Sequence, residues 1–327
     1  MKISVVIMAY NRKNYLKYAI DSVINQTLST NSFEILLLRN FHDDEIDKMC
    51  VENKIKNLLT PNIPIGEYLS IALKNSTGDV LCFLDDDDVF ENNKLDVVYA
   101  EFNNNPNLVY MRNDWSLIDS NGNQIFQRRK VRALTNANIE KFNVAHAIKK
   151  VGLEFRWNMS CISVRKDIFI GFEDYLSKII SGQDIIVFYI AASKNGTMAR
   201  CKLPLTRYRI HGDSMTKVKG PSNDALREYI SLKPLQFLLL EGIVKDDLEK
   251  ALAKIRSISI WDGSSFTRKD LREILISYID NKMYNKYDIK VLVFIMFVIT
   301  LSYIAGGKGI RTIRKAIATF WSYEENF

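Results

Sequence analysis

The sequence has few of the residues on which small, stapled or fibrous folds depend. It holds 4 cysteines in 327 residues, Cys50, Cys82, Cys161 and Cys201, and no two of them form a CxxC pair. That spacing excludes a zinc ribbon, a redox dithiol and a disulfide scaffold. Isolated thiols of this kind behave as small buried hydrophobes in a reducing compartment. Glycine (14) and proline (6) are few, and with 47% hydrophobic and 25% charged residues this excludes collagen-like, low-complexity and disordered chains. No internal repeat is present. Met1 to Tyr10 is apolar but short, and Asn11-Arg12-Lys13 follows at once. A charged start and a small-residue cleavage site are both missing, so this segment reads as a buried strand and not as a secretory signal. The excess of 45 Lys+Arg over 38 Asp+Glu gives a net charge of +7. It permits an anionic partner such as a nucleotide or a phospholipid face. The basic residues are dispersed and no reading motif occurs, which argues against a nucleic-acid binder.

What the sequence does contain is an alternation of strand-like and helix-like segments. Ile3 to Ala9 is a continuous β-branched apolar run of the kind found in central parallel strands. Tyr15, Leu16, Ala19, Ile20, Val23 and Ile24 recur at helical spacing, with Asn11 or Asn14 as the expected cap. Phe33 to Leu38, Ile55 to Leu59 and Val80 to Leu84 read as strands, and Asp43 to Glu52 and Gly66 to Asn75 as helices. This order predicts an α/β fold with a doubly wound, mostly parallel sheet. Such sheets bind ligands at the carboxyl ends of their strands. The tips of interest are therefore Ala9-Tyr10-Asn11, Leu38-Arg39-Asn40 and Asp85 to Asp88. Beyond residue 105, Leu108 to Arg112, Trp115 to Ile118 and Ser160 to Val164 read as strands, and Asn121-Gly122 as a hairpin turn. A basic cluster stands at Arg128, Arg129, Lys130 and Arg132. A helix is expected around Asp184 to Ser193. From Ser222 onward the expected elements are helical: Tyr229 to Ile243, Asp246 to Ile255 and Lys269 to Ile279. The loop Gly212 to Asn223 is the expected boundary, giving a catalytic-type domain over 1–218, a helical extension over 219–287 and a tail over 288–327.

That tail differs from the rest. Ile289 to Ala305 is nearly all apolar, at the lower limit of the roughly 17 to 25 residues of a bilayer span. After Gly306-Gly307-Lys308-Gly309, one face carries Ile310, Ile313, Ile317, Phe320 and Trp321, and the other Arg311, Arg314 and Lys315. This is the layout of an interfacial helix on an anionic leaflet; a buried helix followed by a surface helix is the plainer alternative. Basic residues after an apolar run favour the cytoplasmic side. The tail is thus expected to associate with the cytoplasmic face of a membrane, on the surface or as a re-entrant hairpin.

The stretch Phe83-Leu84-Asp85-Asp86-Asp87-Asp88 carries the strongest chemical signal. Four consecutive carboxylates at a strand tip repel one another unless a cation or hydrogen bonds compensate. A hard divalent ion with oxygen ligands, Mg2+ or Mn2+, is the natural partner; the plainer alternative is an acidic turn that caps the next helix. Three segments in order, Ser4-Val5-Val6-Ile7 with Ala9-Tyr10-Asn11-Arg12, then Ser22-Val23-Ile24-Asn25-Gln26-Thr27, then Phe83 to Asp88, resemble glycosyltransferase family 2. The resemblance covers roughly residues 1 to 215.

It implies a GT-A fold and inverting transfer of a sugar from a nucleotide-sugar donor. It also implies a DxD motif in which Asp85 touches the ribose or the metal shell, with Asp86 beside it at the donor, and Asp87 ligates the metal. Ala9, Tyr10, Asn11 and Arg12 would meet the donor base and ribose. The family's Glu-Asp pair, whose Asp is the general base, has two counterparts here, Glu173-Asp174 and Gln183-Asp184. The second precedes an amphipathic helix, as the catalytic helix does, so Asp184 is the expected base; helix capping is its plainer role. Tyr208-Arg209-Ile210-His211 resembles the family's Tyr-Arg-x-His segment, which makes His211 a metal or diphosphate ligand and Arg209 a diphosphate partner. His42 and His146 have no such counterpart.

Two departures stand out. Leu38-Arg39-Asn40-Phe41 replaces the family's Asp-Asp-Gly-Ser, leaving Asn40 as the candidate for a base edge. The Gln-x-x-Arg-Trp motif of processive synthases is missing, since Arg156-Trp157 has Leu153 in place of Gln and lies before Asp184. A single-addition enzyme with a hydroxyl or phosphate acceptor, a membrane or lipid-linked glycan or a polyisoprenyl phosphate, is the resulting expectation. A nucleotidyltransferase would need a Gly-rich phosphate loop, and Asn11-Arg12-Lys13 offers none. The remaining rival is a non-catalytic membrane-associated module that binds a nucleotide or glycan.

Overall fold

A computed structural model describes residues 1–125, 139–150, 153–194, 196–212, 224–239 and 242–261, and Ile274. The chain divides into two compact units, Met1–Val218 and Lys219–Phe327. In the first, the elements run β1 (Ile3–Ala9), α1 (Leu16–Ile24), β2 (Phe33–Arg39), α2 (Asp44–Glu52), β3 (Lys56–Leu59), α3 (Ile65–Asn75), β4 (Val80–Asp85), β5 (Val89–Phe90), α4 (Lys94–Asn104), β6 (Leu108–Ile118), β7 (Gln124–Ile125), β8 (Ile139–Phe142), α5 (Val144–Lys150), β9 (Ile162–Arg165), α6 (Glu173–Leu176), α7 (Gln183–Ser193) and β10 (Thr197–Arg209).

The strands form one sheet in the order β3-β2-β1-β4-β9-β6-β10-β5, with β7 paired to β6 and β8 to β10. β2, β3 and β4 join β1 in a parallel half, Ile7 standing opposite Leu37 on one side and Leu84 on the other. β9 runs antiparallel to β4 and β6, and β6 and β10 are parallel to each other. Every residue of β1 is buried, as its unbroken apolar sequence predicts for a central strand covered on both faces. Ile3, Val5, Ile7 and Ala9 pack on one side with Leu16, Ala19, Ile20 and Val23 of α1. Consequently β1, β2 and β4 end together, and the loops after them share one edge of the sheet.

Several sequence expectations are corrected. α1 starts after Tyr15 with no side-chain cap, so neither Asn11 nor Asn14 caps it. Asn11 instead takes a left-handed backbone, φ 57°, which asparagine tolerates better than most residues. Leu108 to Arg112 and Trp115 to Ile118 are one strand, because the polar Asn113 and Asp114 between them continue the ladder against β10. The strand predicted from Ser160 begins at Ile162, after a 3-10 turn over Met159–Cys161. Asn121-Gly122 does turn the β6–β7 hairpin, with Gly122 at φ 84°.

In the second unit the expected helix Tyr229 to Ile243 is broken. α8 (Asp224–Leu232), α9 (Leu235–Leu238) and α10 (Ile243–Trp261) replace it, the first break falling at Lys233-Pro234, where proline cannot continue a helix. Leu232, Leu235, Leu239, Leu248 and Leu252 are buried. The basic cluster at 128–132, most of the helix expected over 269–279 and the whole tail from 288 lie outside the described residues. Among the described residues, no helix is long and apolar enough to cross a membrane.

Candidate active site

The edge where β1, β2 and β4 end gathers most of the residues singled out in the sequence. β4 delivers Asp85 at its last position, and Asp86, Asp87 and Asp88 turn across the sheet into β5. Opposite them, Arg12 pairs with both Asp86 and Asp87, its Nη1 standing 2.7 Å from Asp87 Oδ2. His211 Nε2 is 3.0 Å from the same Asp87 oxygen, and its ring packs on Tyr15 at 4.8 Å. Asp88 faces inward and its Oδ1 accepts the Arg209 amide at 2.9 Å.

Arg209 itself is buried and turned toward the main chain. Its Nε donates to the Asp87 carbonyl at 2.8 Å, and Nη1 to the carbonyls of Asp119 and Ser120 at 3.1 and 3.2 Å. It also lies over the rings of Tyr15 and Tyr18, at 4.6 and 5.5 Å. The geometry therefore fastens Arg209 to the acidic loop and the β6–β7 hairpin. Ala9 is buried at the tip of β1. Tyr10, exposed, hydrogen-bonds Asn62 and sets its ring against Tyr68 at 6.1 Å. Asn11 and Asn40 hold each other reciprocally: Asn40 Oδ1 accepts the Asn11 amide at 2.9 Å and Asn40 Nδ2 donates to Asn11 Oδ1 at 2.8 Å. Arg39, fully buried, ties β2 to Asp47 and to Asn57 Oδ1.

Asp184 enters from the start of α7, whose cap is Gly182 with a left-handed backbone, φ 73°. The aspartate's Oδ2 accepts the Asn158 amide at 3.0 Å and its Oδ1 the Ile185 amide at 2.9 Å. Capping is thus not its position. It lies near enough to Asp85 for their charges to interact. Glu173 and Asp174, the alternative pair, sit in the short helix α6, where Glu173 accepts the Gly171 amide at 2.8 Å.

Burial and mutual repulsion shape the proton affinities. Asp85 is held well above the usual carboxylate range by burial first and then by Asp87, Asp88, Asp86 and Asp184. Burial raises Asp86 to about 7 against the pull of Arg12, and raises Asp88 to about 7 with the help of Asp87. Asp184 is also raised by burial, with the backbone amides of Ile185, Asn158 and Asp184 itself opposing.

A buried network beneath the loop escaped the sequence reading. Lys94 is fully buried, and its Nζ donates to the Ser160 carbonyl at 2.6 Å and the Thr206 hydroxyl at 3.1 Å. The Ser160 hydroxyl in turn accepts the Asp85 amide at 3.0 Å, and Asn113 donates to Thr206 at 2.9 Å. The signal was present: Lys94, Val98 and Phe102 recur at i, i+4 and i+8, so lysine occupies the buried stripe of α4. Burial lowers Lys94 to about 8. Between pH 8 and 10.5 the unfolded chain therefore binds more protons at this residue than the folded one, and stability rises with pH there. Chemical denaturation across that range should show the rise in the wild type and its disappearance in Lys94→Met.

The segment Ser22 to Thr27 also has a structural role. Ser22 Oγ accepts the Phe90 amide at 3.1 Å, Gln26 bridges the Glu91 carbonyl and the Leu95 amide at 2.8 Å each, and Thr27 donates to the Asn92 carbonyl at 3.1 Å. These bonds clamp the end of α1 to the chain that follows the four aspartates.

The donor set also suits a cation. Asp87 Oδ2 and His211 Nε2 are adjacent, and Asp86 Oδ2 is buried without a hydrogen-bond partner among the described residues. Among those residues no group of three or more His, Cys, Asp or Glu side chains is placed to hold a metal ion. An open site with one or two protein ligands is how Mg2+ is commonly held when phosphates complete its shell.

Comparison with known proteins agrees with this architecture. Residues 4–156 match the family model described as glycosyl transferase family 2. An uncharacterized glycosyltransferase of Rickettsia bellii is 25% identical over 219 residues, covering 66% of this chain and 30% of that protein. The minor teichoic acid biosynthesis protein GgaA of Bacillus subtilis is 31% identical over 110 residues, 30% of this chain and 24% of that protein. The chain thus spans under a third of the length of these curated relatives. Among solved structures, S. aureus TarS 1-349 in complex with UDP-GlcNAc aligns with a TM-score of 0.61 at 13% identity, covering 94% of this chain and 92% of that one. That likeness shows a shared fold.

Proposed function

Since the chain belongs to glycosyl transferase family 2 through residues 4–156, we propose that it moves a sugar from a nucleotide-sugar donor to an acceptor hydroxyl by single displacement. The observation that carries this reading is the convergence of Asp85 to Asp88 from β4 with Asp184 from α7, beside the joined tips of β1 and β2. The donor nucleotide lies over Tyr10, Asn11 and Asn40, with the diphosphate reaching Asp87 and His211. Asp87 and His211 would hold a Mg2+ or Mn2+ ion, which supplies positive charge against the departing nucleoside diphosphate. Arg12 is released from Asp86 and Asp87 to meet the same phosphates. Arg209 acts by holding the acidic loop in place, through the Asp87 carbonyl and the Asp88 carboxylate. Asp184 takes the proton from the attacking hydroxyl; its raised proton affinity makes it a stronger base at neutral pH than an exposed carboxylate. Lys94, Ser160 and Thr206 fix the floor of the site, so that both reactants meet in attack geometry.

A UDP-sugar is the first donor to try, because TarS of the same fold was solved with UDP-GlcNAc. We extend the reading to a membrane or lipid-linked glycan acceptor, approached by the apolar and basic tail from the cytoplasmic face. Titration calorimetry with UDP, GDP and dTDP, with and without Mn2+, tests the donor half. One nucleotide should bind, with affinity at least about tenfold weaker without metal and in Asp87→Ala, a difference of about 1.4 kcal/mol. Absence of binding by all three would remove the donor reading. Equal binding without metal and in Asp87→Ala would remove the metal.

A further inference from the structure

Trp157 and Trp115 form an aromatic pair whose purpose the chemistry above leaves open. Their ring centroids are 5.9 Å apart. Trp157 is 41% exposed although Arg156 and Asn158 on either side of it are buried. One buried guanidinium organises both rings: Arg112 lies 4.6 Å from the Trp115 ring, and its Nε donates to the Trp157 carbonyl at 3.4 Å. The next residue, Asn158, takes a left-handed backbone at φ 72° and donates its amide to Asp184. A non-glycine residue held there is strained unless its surroundings fix it. The ring is thus one peptide unit from the group that holds the base. Asn158 Oδ1, in a side chain 8% exposed, has no hydrogen-bond partner among the described residues, so a hydroxyl donor is what this end of the pair lacks.

The position also separates this pair from the nucleotide. In the sheet order, β1 and β2 lie on one side of β4, and β9 and β6, which carries Trp115, lie on the other. A group stacked on the two tryptophans would approach Asp184 from the side opposite Tyr10 and Asn40. An aromatic face is electron-rich and attracts polarised C–H groups, and the flat side of a pyranose ring presents several of them while its hydroxyls point outward. With Arg112 buried beside the Trp115 ring, Asp114 paired to it and Asn158 Oδ1 unpartnered among the described residues next to Trp157, the pair suits a sugar better than an acyl chain or a protein helix.

We propose that Trp157 and Trp115 are the acceptor platform, stacking a pyranose of the acceptor glycan with its reactive hydroxyl toward Asp184. The proposal rests on the transferase reading, and its test keeps the two apart. Intrinsic fluorescence titrations with methyl β-glucopyranoside, chitotriose and glycerol 3-phosphate are compared in the wild type, Trp157→Ala and Trp157→Phe, alongside UDP binding in each. The expected result is binding of the two saccharides but not of glycerol 3-phosphate. Saccharide affinity should fall at least about tenfold in Trp157→Ala and remain largely intact in Trp157→Phe, with UDP affinity unchanged throughout. Saccharides that fail to bind the wild type, or bind Trp157→Ala equally well, overturn the platform. Loss of UDP affinity with Trp157 would assign the pair to the nucleotide instead. Glycerol 3-phosphate binding with the same Trp157 dependence would make it an anion site. Failure of the wild type to bind UDP, GDP or dTDP overturns the transferase reading on which the platform rests.

Discussion

Asp184→Asn is expected to lower sugar-transfer turnover by about 10²–10⁴-fold, the range that a positioned general base supplies, while nucleotide affinity stays within about twofold. Asparagine keeps an oxygen that can accept the Asn158 or Ile185 amide, so α7 and the Asn158 turn lose little support. What disappears is the ability to receive the acceptor's proton. The substitution also removes a negative charge that raises the proton affinity of Asp85. Thermal stability should therefore hold or improve while activity collapses. That combination separates a chemical role from a structural one. Steady-state turnover with the cognate donor, set beside calorimetric nucleotide binding, measures it. An Asp184→Asn enzyme within tenfold of the wild type would return the base role to another carboxylate, of which Asp174 is the candidate by sequence.

The second large effect concerns Arg12. Its guanidinium, with the side chain 32% exposed, spans Asp86, which is 2% exposed, and Asp87. Removing one partner of a buried pair leaves an uncompensated charge, at a cost of about 3–5 kcal/mol; partial exposure of Arg12 places the expected loss near 3 kcal/mol. The loss should depend on pH. Even with Arg12 present, burial holds Asp86 at about 7. Near pH 6 that carboxyl is mostly protonated, and Arg12 has less to compensate. Near pH 8 it is ionised in the wild type, and only Arg12 makes that tolerable. Urea denaturation of Arg12→Ala should thus show a deficit that grows between pH 6 and 8. The double variant Arg12→Ala/Asp86→Asn should recover most of it, since the two residues act as one unit. A deficit under 1 kcal/mol at pH 8, unchanged by the second substitution, would mean that solvent screens the pair. Arg12→Ala should also bind its nucleotide more weakly, because Arg12 stands at Asp86 and Asp87, where the diphosphate is expected.

Much of the site was legible because its signals are local. A β-branched run ending in Tyr10-Asn11, and four carboxylates ending another, mark strand tips without knowledge of the tertiary structure. Asp184 stood out for the same reason, at the head of an apolar helix. The misreadings concern what lies between elements. Asn113 and Asp114 looked like a break because polar residues interrupt the apolar pattern. The strand nevertheless continues, with Asn113 donating to Thr206 of β10 and Asp114 facing Arg112 and Arg200. Arg209 was read as a diphosphate partner, and Arg12 as meeting the donor base and ribose, both by resemblance alone. Their partners in the fold are a main-chain loop and two aspartates, contacts more than 70 residues apart in sequence that no local pattern encodes. Lys94 stands at a stripe position, although a lysine on an apolar stripe seldom stays charged and buried. Asn40 is the subtlest case. A base edge is its expected partner, and in the fold its side chain also closes a reciprocal pair with Asn11 that holds the β1 and β2 tips together.

The central claim, that this site transfers a sugar, rests most directly on the release of nucleoside diphosphate. The measurement is release from UDP-, GDP- and dTDP-sugars with Mn2+ or Mg2+ present and membrane extract as the acceptor source, in wild type and Asp184→Asn. The account predicts release from one nucleotide class, stimulated by the extract and lost in Asp184→Asn. Tight binding of a nucleotide-sugar with no release in the presence of the extract would contradict it, and would leave a module that binds donor or glycan without turning it over.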